Sequence, residues 1–173
     1  MKTLLIIIAC VVTLGVVLTE PKESELIIPD NSIRLRIIPR SNSSEDVEIK
    51  LILKEIINNS IQRLLTNAST AQESRQILEN NLKKIDDQIS EVLNPLNINY
   101  EISLGKNYFP LKVFRGVTYN AGLYESLVIT IEEGKGNNWW CVMFPPLCSL
   151  EKDDSLDEIE YQLFVSRIIN QFR

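Results

Sequence analysis

Glu125 is the residue of this sequence whose position could support acid–base chemistry. It falls between Leu123 and Leu127 on the apolar side of a predicted strand, and a carboxylate buried in that way can act as a general acid. It can equally pair with Arg34, Arg36 or a backbone amide. No second carboxylate is spaced to complete an acid–base pair, so we expect a structural or partner-binding role for Glu125.

The sequence contains no histidine, and this absence excludes whole classes of catalytic site. Ser-His and Cys-His nucleophile pairs need an imidazole, and the usual zinc ligand sets contain one. Cys141 therefore lacks a base to activate it, and Cys148 is near enough in sequence for the two thiols to be oxidised together to a disulfide. We expect no catalytic residue, no metal site and no cofactor.

The stretch from Trp139 to Cys148 is the most unusual in the chain. Adjacent tryptophans in a strand point to opposite faces, and two successive prolines fix a rigid turn. A rigid apolar loop flanked by aromatic rings suits protein binding, because little entropy is lost on docking. An aromatic core with a stapled turn would have the same sequence. The candidate partner-binding residues are Trp139, Trp140, Phe144, Pro145, Pro146 and Leu147.

The run Gly134-Lys135-Gly136 lacks the spacing of a phosphate-binding loop. A predicted strand follows it instead of a helix, so we expect a hairpin turn. The net charge of −5 also argues against a nucleic-acid partner, because phosphate binding needs a basic surface.

The N-terminus is predicted to carry an export signal. An unbroken apolar run from Leu4 to Leu18 would span about 22 Å as a helix, whereas a bilayer core is about 30 Å thick. Residues 1–19 are therefore predicted to be a signal peptide or a short N-terminal anchor. Residues 20–31 carry two prolines and mixed charges and are predicted to be a linker.

Export bears on the two cysteines that remain beyond this segment. An even pair in an exported chain predicts a disulfide between Cys141 and Cys148, with two free buried thiols as the alternative. The ring closes over about eight residues, for which the chain-entropy model gives about 2.5 kcal/mol.

Three helices are predicted from apolar residues at helical spacing. Polar and acidic residues at 41–46 begin the first, capping boxes at Thr70–Glu73 and Ser155–Glu158 begin the others, and Asn94-Pro95 ends the second. The apolar stripes are Ile49, Leu53, Ile56, Ile57 and Leu64, then Leu78, Leu82, Ile85, Ile89 and Val92, then Tyr161, Phe164, Val165, Ile168 and Phe172.

Strands are predicted where apolar and polar residues alternate. From Ile33 to Ile37 the apolar residues alternate with two arginines, which predicts a half-buried strand. Further strands follow residue 97, with a turn expected at Gly105–Asn107. The pattern predicts an α+β domain over residues 32–150, in which two amphipathic helices pack on one face of a mainly antiparallel sheet. Residues 151–173 form a C-terminal helical extension that could dock or stand apart.

Three segments carry a resemblance to a known family. Residues 33–46 are similar to its opening strand and polar helix cap, and Tyr119–Leu127 resembles its Tyr-x-Ala-Gly-x-Tyr-Glu-Ala-Leu segment. Gly134–Cys148, with Trp-Trp-Cys and a Pro-Pro-Leu-Cys ending, matches its most specific signature. The chain thus resembles the stage II sporulation protein R family from about Ile33 to Cys148.

The resemblance implies that residues 32–150 are a signalling domain and that the protein is not an enzyme. Proteins of this family are made in the forespore and exported into the intermembrane space of the septum. There they activate a membrane-embedded aspartic protease of the mother cell, which cleaves a sigma-factor precursor. The expected partner is that protease, and membrane contact is expected only through the N-terminal segment.

A second hypothesis is an exported cell-wall or peptide-processing enzyme that uses carboxylates such as Glu125. The two hypotheses differ in the surface they require. An enzyme needs polar side chains that converge in a cleft, whereas a ligand needs an apolar patch around Trp139–Pro146.

Overall fold

The computed structural model describes residues 26–148, 150 and 156–172, and the predicted signal or anchor segment at 1–19 lies outside them. Among the described residues, no helix has the length and apolarity to cross a membrane. The elements are β1 (Leu26–Ile27), β2 (Ile33–Ile38), α1 (Ser44–Leu65), α2 (Ala71–Leu93), a 3-10 turn (Asn94–Leu96), β3 (Tyr100–Phe109), β4 (Lys112–Phe114), β5 (Val117–Tyr119), β6 (Gly122–Ile131), β7 (Trp139–Phe144) and α3 (Glu158–Gln171).

The main sheet has four strands in the order β3-β6-β2-β7. The two outer pairs are antiparallel, and the central pair of β2 and β6 is parallel. The α+β class is confirmed, with a mixed sheet whose antiparallel pairs outnumber the parallel one. A parallel pair needs a long crossover, and here α1 and α2 lie within it.

Both long helices pack on one face of this sheet, as predicted, because each supplies an apolar stripe to it. Burying one Leu or Ile side chain stabilises the fold by about 1.5–3 kcal/mol. This core contains Ile33, Leu35, Ile37, Leu127, Ile129, Ile131 and Met143 from the sheet and Leu53, Ile57, Ile61, Leu78, Ile85 and Ile89 from the helices.

A smaller sheet, in the order β1-β5-β4, and α3 form a second core. Helix α3 docks through Tyr161, Val165 and Ile169, while Phe164 of its predicted stripe is partly exposed. The second core contains Ile28, Val117, Tyr119, Val142, Leu147, Tyr161, Val165 and Ile169. Because Val142 belongs to β7, the two cores meet at the edge of the main sheet.

An ion pair fixes the start of α1. The side chain of Ser43 caps the helix by accepting a hydrogen bond from the backbone N–H of Asp46 at 3.2 Å. The Asp46 carboxylate, only 3% exposed, lies 2.9 Å from Arg40 Nη2 and accepts the hydroxyl of Ser41. These contacts, with the Ser41 hydrogen bond first, lower the pKa of Asp46, because they favour its ionised form.

The other two caps differ from their predictions. Thr70 accepts from the N–H of Glu73 at 3.1 Å, but the Glu73 carboxylate accepts from Ser69 instead of closing the box on Thr70. The capping box of α3 is formed by Asp157 and Glu160, so the helix begins later than the Ser155–Glu158 pattern predicts; Ser155 lies outside the described residues.

The predicted turn at Gly105–Asn107 is wrong. These residues continue β3 and pair with Ser126, Glu125 and Tyr124 of β6 in an unbroken ladder. Gly105 does not adopt a positive φ, so nothing in its backbone turns the chain. The long partner strand overrides the turn propensity of a Gly-Lys-Asn sequence.

The segment Gly134–Asn138 turns the chain, but the predicted hairpin is wrong because β2 lies between β6 and β7. The segment crosses the end of β2 and bonds to the loop that follows it, with the Gly136 N–H donating to Pro39 O at 2.9 Å. A Cβ on Gly136 would lie 2.3 Å from Ser41 O. Glycine is required here by this close approach of two backbones.

Candidate functional site

The loop that follows β7 is closed by a disulfide. Cys141 and Cys148 are bonded, with Cα atoms 5.1 Å apart, and both are buried. The disulfide predicted from the sequence is therefore present. Within the loop, the N–H groups of Leu147 and Cys148 donate to Val142 O at 3.0 and 3.1 Å. The loop thus folds back onto the strand from which it leaves.

Asn58 of α1 holds this loop from the helix side. Its side chain is fully buried, and Nδ2 donates to Cys148 O at 3.5 Å, while Oδ1 accepts from Gln62 at 3.2 Å. Asn58 interrupts the apolar stripe that predicts α1, and the structure gives the reason. A buried amide needs partners, and the loop carbonyl provides one.

The candidate partner-binding residues of the loop separate into buried and exposed groups. Phe144, Pro145 and Leu147 are buried, and Pro146 is exposed. The Phe144 ring contacts the Phe172 ring edge-on, with centroids 5.0 Å apart. The three buried side chains of this group therefore stabilise the core, and Pro146 is the one whose exposed surface a partner could contact.

The two tryptophans lie on opposite faces of β7, each half-buried. Trp139 lies on the helix face, where Lys54 Nζ is 5.1 Å from its ring centroid. Trp140 lies on the other face, where its ring meets that of Phe109 edge-on at 5.5 Å. Because β7 is an edge strand, both rings keep exposed surface at the side of the sheet.

Glu125 is held by a helix, not by either arginine of β2. Its Oε2 lies 3.3 Å from Arg75 Nη1 of α2, and its side chain is 16% exposed. Arg34 and Arg36 are excluded as partners because they lie on the opposite face of the sheet. Glu125 and Asp30 both line a pocket of about 370 Å³, together with Arg75, Lys106 and Ser32.

The face opposite the helices carries an arrangement that the sequence does not predict. Arg34 is 1% exposed and lies 3.4 Å above the centroid of the Tyr124 ring. Arg36 lies 4.1 Å from the centroid of the Phe109 ring, and its Nη2 donates to Tyr108 O at 2.6 Å. Cation–π contacts of this kind stabilise by about 0.5–2 kcal/mol each. The alternating pattern of β2 predicts a half-buried strand, whereas Arg34 on its polar face is buried as well.

Burial lowers the pKa of both arginines. Desolvation is the main cause, and for Arg34 the phenol groups of Tyr124 and Tyr119 oppose it. Guanidinium groups nevertheless remain charged in proteins. The face therefore encloses a permanent positive charge among aromatic rings.

Within the described residues, no group of three or more His, Cys, Asp and Glu side chains is placed to hold a metal ion. The described residues around β7 present half-exposed aromatic rings, a loop closed by a disulfide, and arginines enclosed by aromatic rings.

Residues 29–154 match the family model described as stage II sporulation protein R (spore_II_R). The chain is 36% identical over 128 residues to the stage II sporulation protein R of Bacillus subtilis (strain 168). The aligned residues make up 73% of this chain and 57% of the Bacillus subtilis protein. No solved structure matches. Since the family model covers more than half of it, this chain belongs to the stage II sporulation protein R family.

Proposed function

We propose that this protein is an exported sporulation signal that activates a membrane-embedded aspartic protease of the mother cell. That protease processes a sigma-factor precursor. In this proposal the chain is made in the forespore and exported into the intermembrane space of the septum, where it meets its partner.

Family membership is the observation that carries the proposal. The matched residues 29–154 include the whole main sheet, both long helices and the disulfide loop, so the family match covers the larger core of the fold. A sporulation role follows from the family, and the activation step is our inference.

The composition of the domain supports a signal rather than a catalyst. The chain has no histidine, and the Glu125 carboxylate is engaged by Arg75. The loop is rigid because a disulfide, two prolines and the bonds to Val142 O fix its backbone. Rigid loops lose little entropy when a partner docks.

The surface proposed for the protease is the exposed part of the candidate set, namely Trp139, Trp140 and Pro146. Half-exposed tryptophans commonly supply binding free energy at protein interfaces. Phe144, Pro145 and Leu147 would act from beneath, by holding Pro146 in place.

One observation favours the second candidate, an exported cell-wall or peptide-processing enzyme. Glu125 and Asp30 line the same pocket. A carboxylate-dependent mechanism would need such a pair of carboxylates in one pocket. The ion pair with Arg75 argues against it, because it ties Oε2 of Glu125 to α2, although the buried Oε1 has no hydrogen-bond partner among the described residues.

Co-expression in a heterologous host tests the proposal. The full chain is expressed with the membrane-embedded aspartic protease and the sigma-factor precursor, and precursor cleavage is followed by immunoblot. Cleavage is expected only when all three are present. A protease variant that lacks its catalytic aspartate is the control. Equal cleavage without this chain, or none with it, would overturn the proposal.

A further inference from the structure

A small cavity lies beside the buried guanidinium of Arg34, on the sheet face opposite the helices. We propose that this cavity binds a monatomic inorganic anion of the size of chloride. The inference is independent of the signalling role, since it rests on the charge and hydrogen-bonding needs of the fold.

Arg34 has a buried guanidinium group beside this cavity. Its Nε, Nη1 and Nη2 atoms are buried, and no described residue accepts a hydrogen bond of normal geometry from them, although a side-chain interaction with Tyr124 favours the charged form. The ring centroids of Tyr124 and Phe109 lie 3.4 and 5.1 Å from its guanidinium carbon. The electron-rich faces of these rings stabilise the positive charge by cation–π contacts. They leave the N–H groups without acceptors, and a buried donor without an acceptor costs free energy.

The lining of the cavity carries positive charge. Its walls are Arg34, Lys112, Tyr119, Trp140, Cys141 and Val142. Two of these side chains are cations, and the Trp140 indole can only donate a hydrogen bond. The Tyr119 hydroxyl shares a hydrogen bond of 2.8 Å with that of Tyr161. A wall rich in donors and positive charge favours a species that accepts hydrogen bonds and carries negative charge.

Among the described residues, no carboxylate forms an ion pair that would supply negative charge to this cavity. Within the described part of the chain, no ion pair joins an acidic side chain to Arg34 or Lys112. Asp30 is the acid whose charge raises the pKa of Arg34, but it is the weakest of the influences on that group. The two cations that line the cavity therefore lack a protein counter-charge there.

The size of the cavity selects the class of anion. Its volume is about 10 Å³, which corresponds to roughly one water-sized species. A halide is larger than water and enters only if the half-buried Lys112 side chain moves outward, and the polyatomic sulfate and phosphate would need a much larger opening.

Thermal unfolding at constant ionic strength tests the proposal. Sodium gluconate is replaced stepwise by sodium chloride, sodium bromide or sodium sulfate, up to about 100 mM. Binding to the native state raises Tm, and we expect a saturating rise of at least about 2 °C with chloride and bromide and none with sulfate. Arg34→Met and Lys112→Met should abolish the rise. Arg63→Met removes an exposed cation from α1 and should retain it.

Crystals soaked in bromide provide the structural arm, and an anomalous peak within hydrogen-bond distance of Arg34 is expected. Identical Tm values in all four salts would overturn the proposal, since the cavity would then hold only water. A bromide peak without any halide effect on Tm would also overturn it, as binding at crystal concentration only. If Arg34→Met fails to fold, Lys112→Met and the wild-type titration still decide the question.

Discussion

Arg34 and Arg36 occupy equivalent positions in the alternating pattern of β2, yet their environments differ. Arg34 is enclosed by Tyr124 and Phe109, and Arg36 is only half-buried. The enclosing ring of Phe109 comes from the end of β3, far along the chain. A local pattern shows which residues share a face, but it does not show what covers that face.

Glu125 gives a test at the residue scale. Glu125→Gln keeps shape and hydrogen bonding but removes the charge that faces Arg75. We expect precursor processing to continue, with Tm changed by no more than about 2 °C, because ion pairs with an exposed partner contribute little. Processing in the co-expression assay and thermal unfolding measure the two effects.

Glu79→Gln is the matched control, because Glu79 is the other carboxylate on Arg75, at 2.9 Å. Both variants should behave alike. A Glu125→Gln protein with wild-type melting and no activity, beside an active Glu79→Gln protein, would favour the enzyme hypothesis.

Asp46 gives a pH-dependent test. Its pKa is lowered in the fold, so it contributes stability that is present above its unfolded pKa of about 4 and lost as pH falls through the folded value. Asp46→Asn should lower Tm at pH 7, and the difference from wild type should shrink below about pH 4. Melting curves from pH 2.5 to 7 measure it.

Glu45→Gln is the control for Asp46, because Glu45 lies in the same helical turn but is exposed. Its effect should be small at every pH. A gap between Asp46→Asn and wild type that stays constant down to pH 2.5 would contradict the argument.

At the scale of elements, periodicity predicts both long helices because each must cover the same sheet face. It does not predict that β3 continues through Gly105, since strand length there is decided by pairing with a distant partner. The hairpin expected at Gly134 is wrong for a related reason. The glycine and asparagine residues of this segment indicate that the chain turns. They do not indicate that β2 lies between the two strands on either side of the turn.

The disulfide loop offers a test that separates its core from its surface. Phe144→Ala removes a buried ring packed on Phe172, and we expect a loss of about 3–5 kcal/mol in the free energy of unfolding. Pro146→Ala should leave that free energy nearly unchanged, because Pro146 is exposed. If the loop contacts the protease, Pro146→Ala weakens precursor processing in a fully folded protein.

Phe172→Ala is the control, since it removes the other ring of the same contact. It should also destabilise the fold while leaving the loop surface intact. Stable Phe144→Ala protein with lost activity would show that the Phe144 ring itself meets the partner.

At the scale of the whole molecule, the second core joins the two ends of the described chain. Tyr161 of α3 and Val117 of β5 pack together with Ile28, which follows β1. The sequence predicts α3 but not its docking, because the residues that receive it come from three separate short segments.

Export is the prediction that belongs to the whole molecule. The apolar run at the N-terminus is short for a bilayer span, so we expect it to act only as a targeting signal for export. A heterologous cleavable signal joined before Pro21 should restore sporulation signalling, measured by precursor processing in sporulating cells. Activity only from a permanently anchored fusion would contradict this.

The fold-back of the disulfide loop onto Val142 O has a consequence for solubility. Strand β7 ends the sheet, and its sequence is apolar and aromatic, without charge or proline inside it, which is typical of aggregation-prone segments. In a reducing compartment the bond is absent, so the strand edge is less protected there. Cys141→Ser with Cys148→Ser should therefore aggregate faster on refolding than wild type, as measured by light scattering. In the proposed exported state, formation of the Cys141–Cys148 disulfide would protect the edge of β7 against self-association.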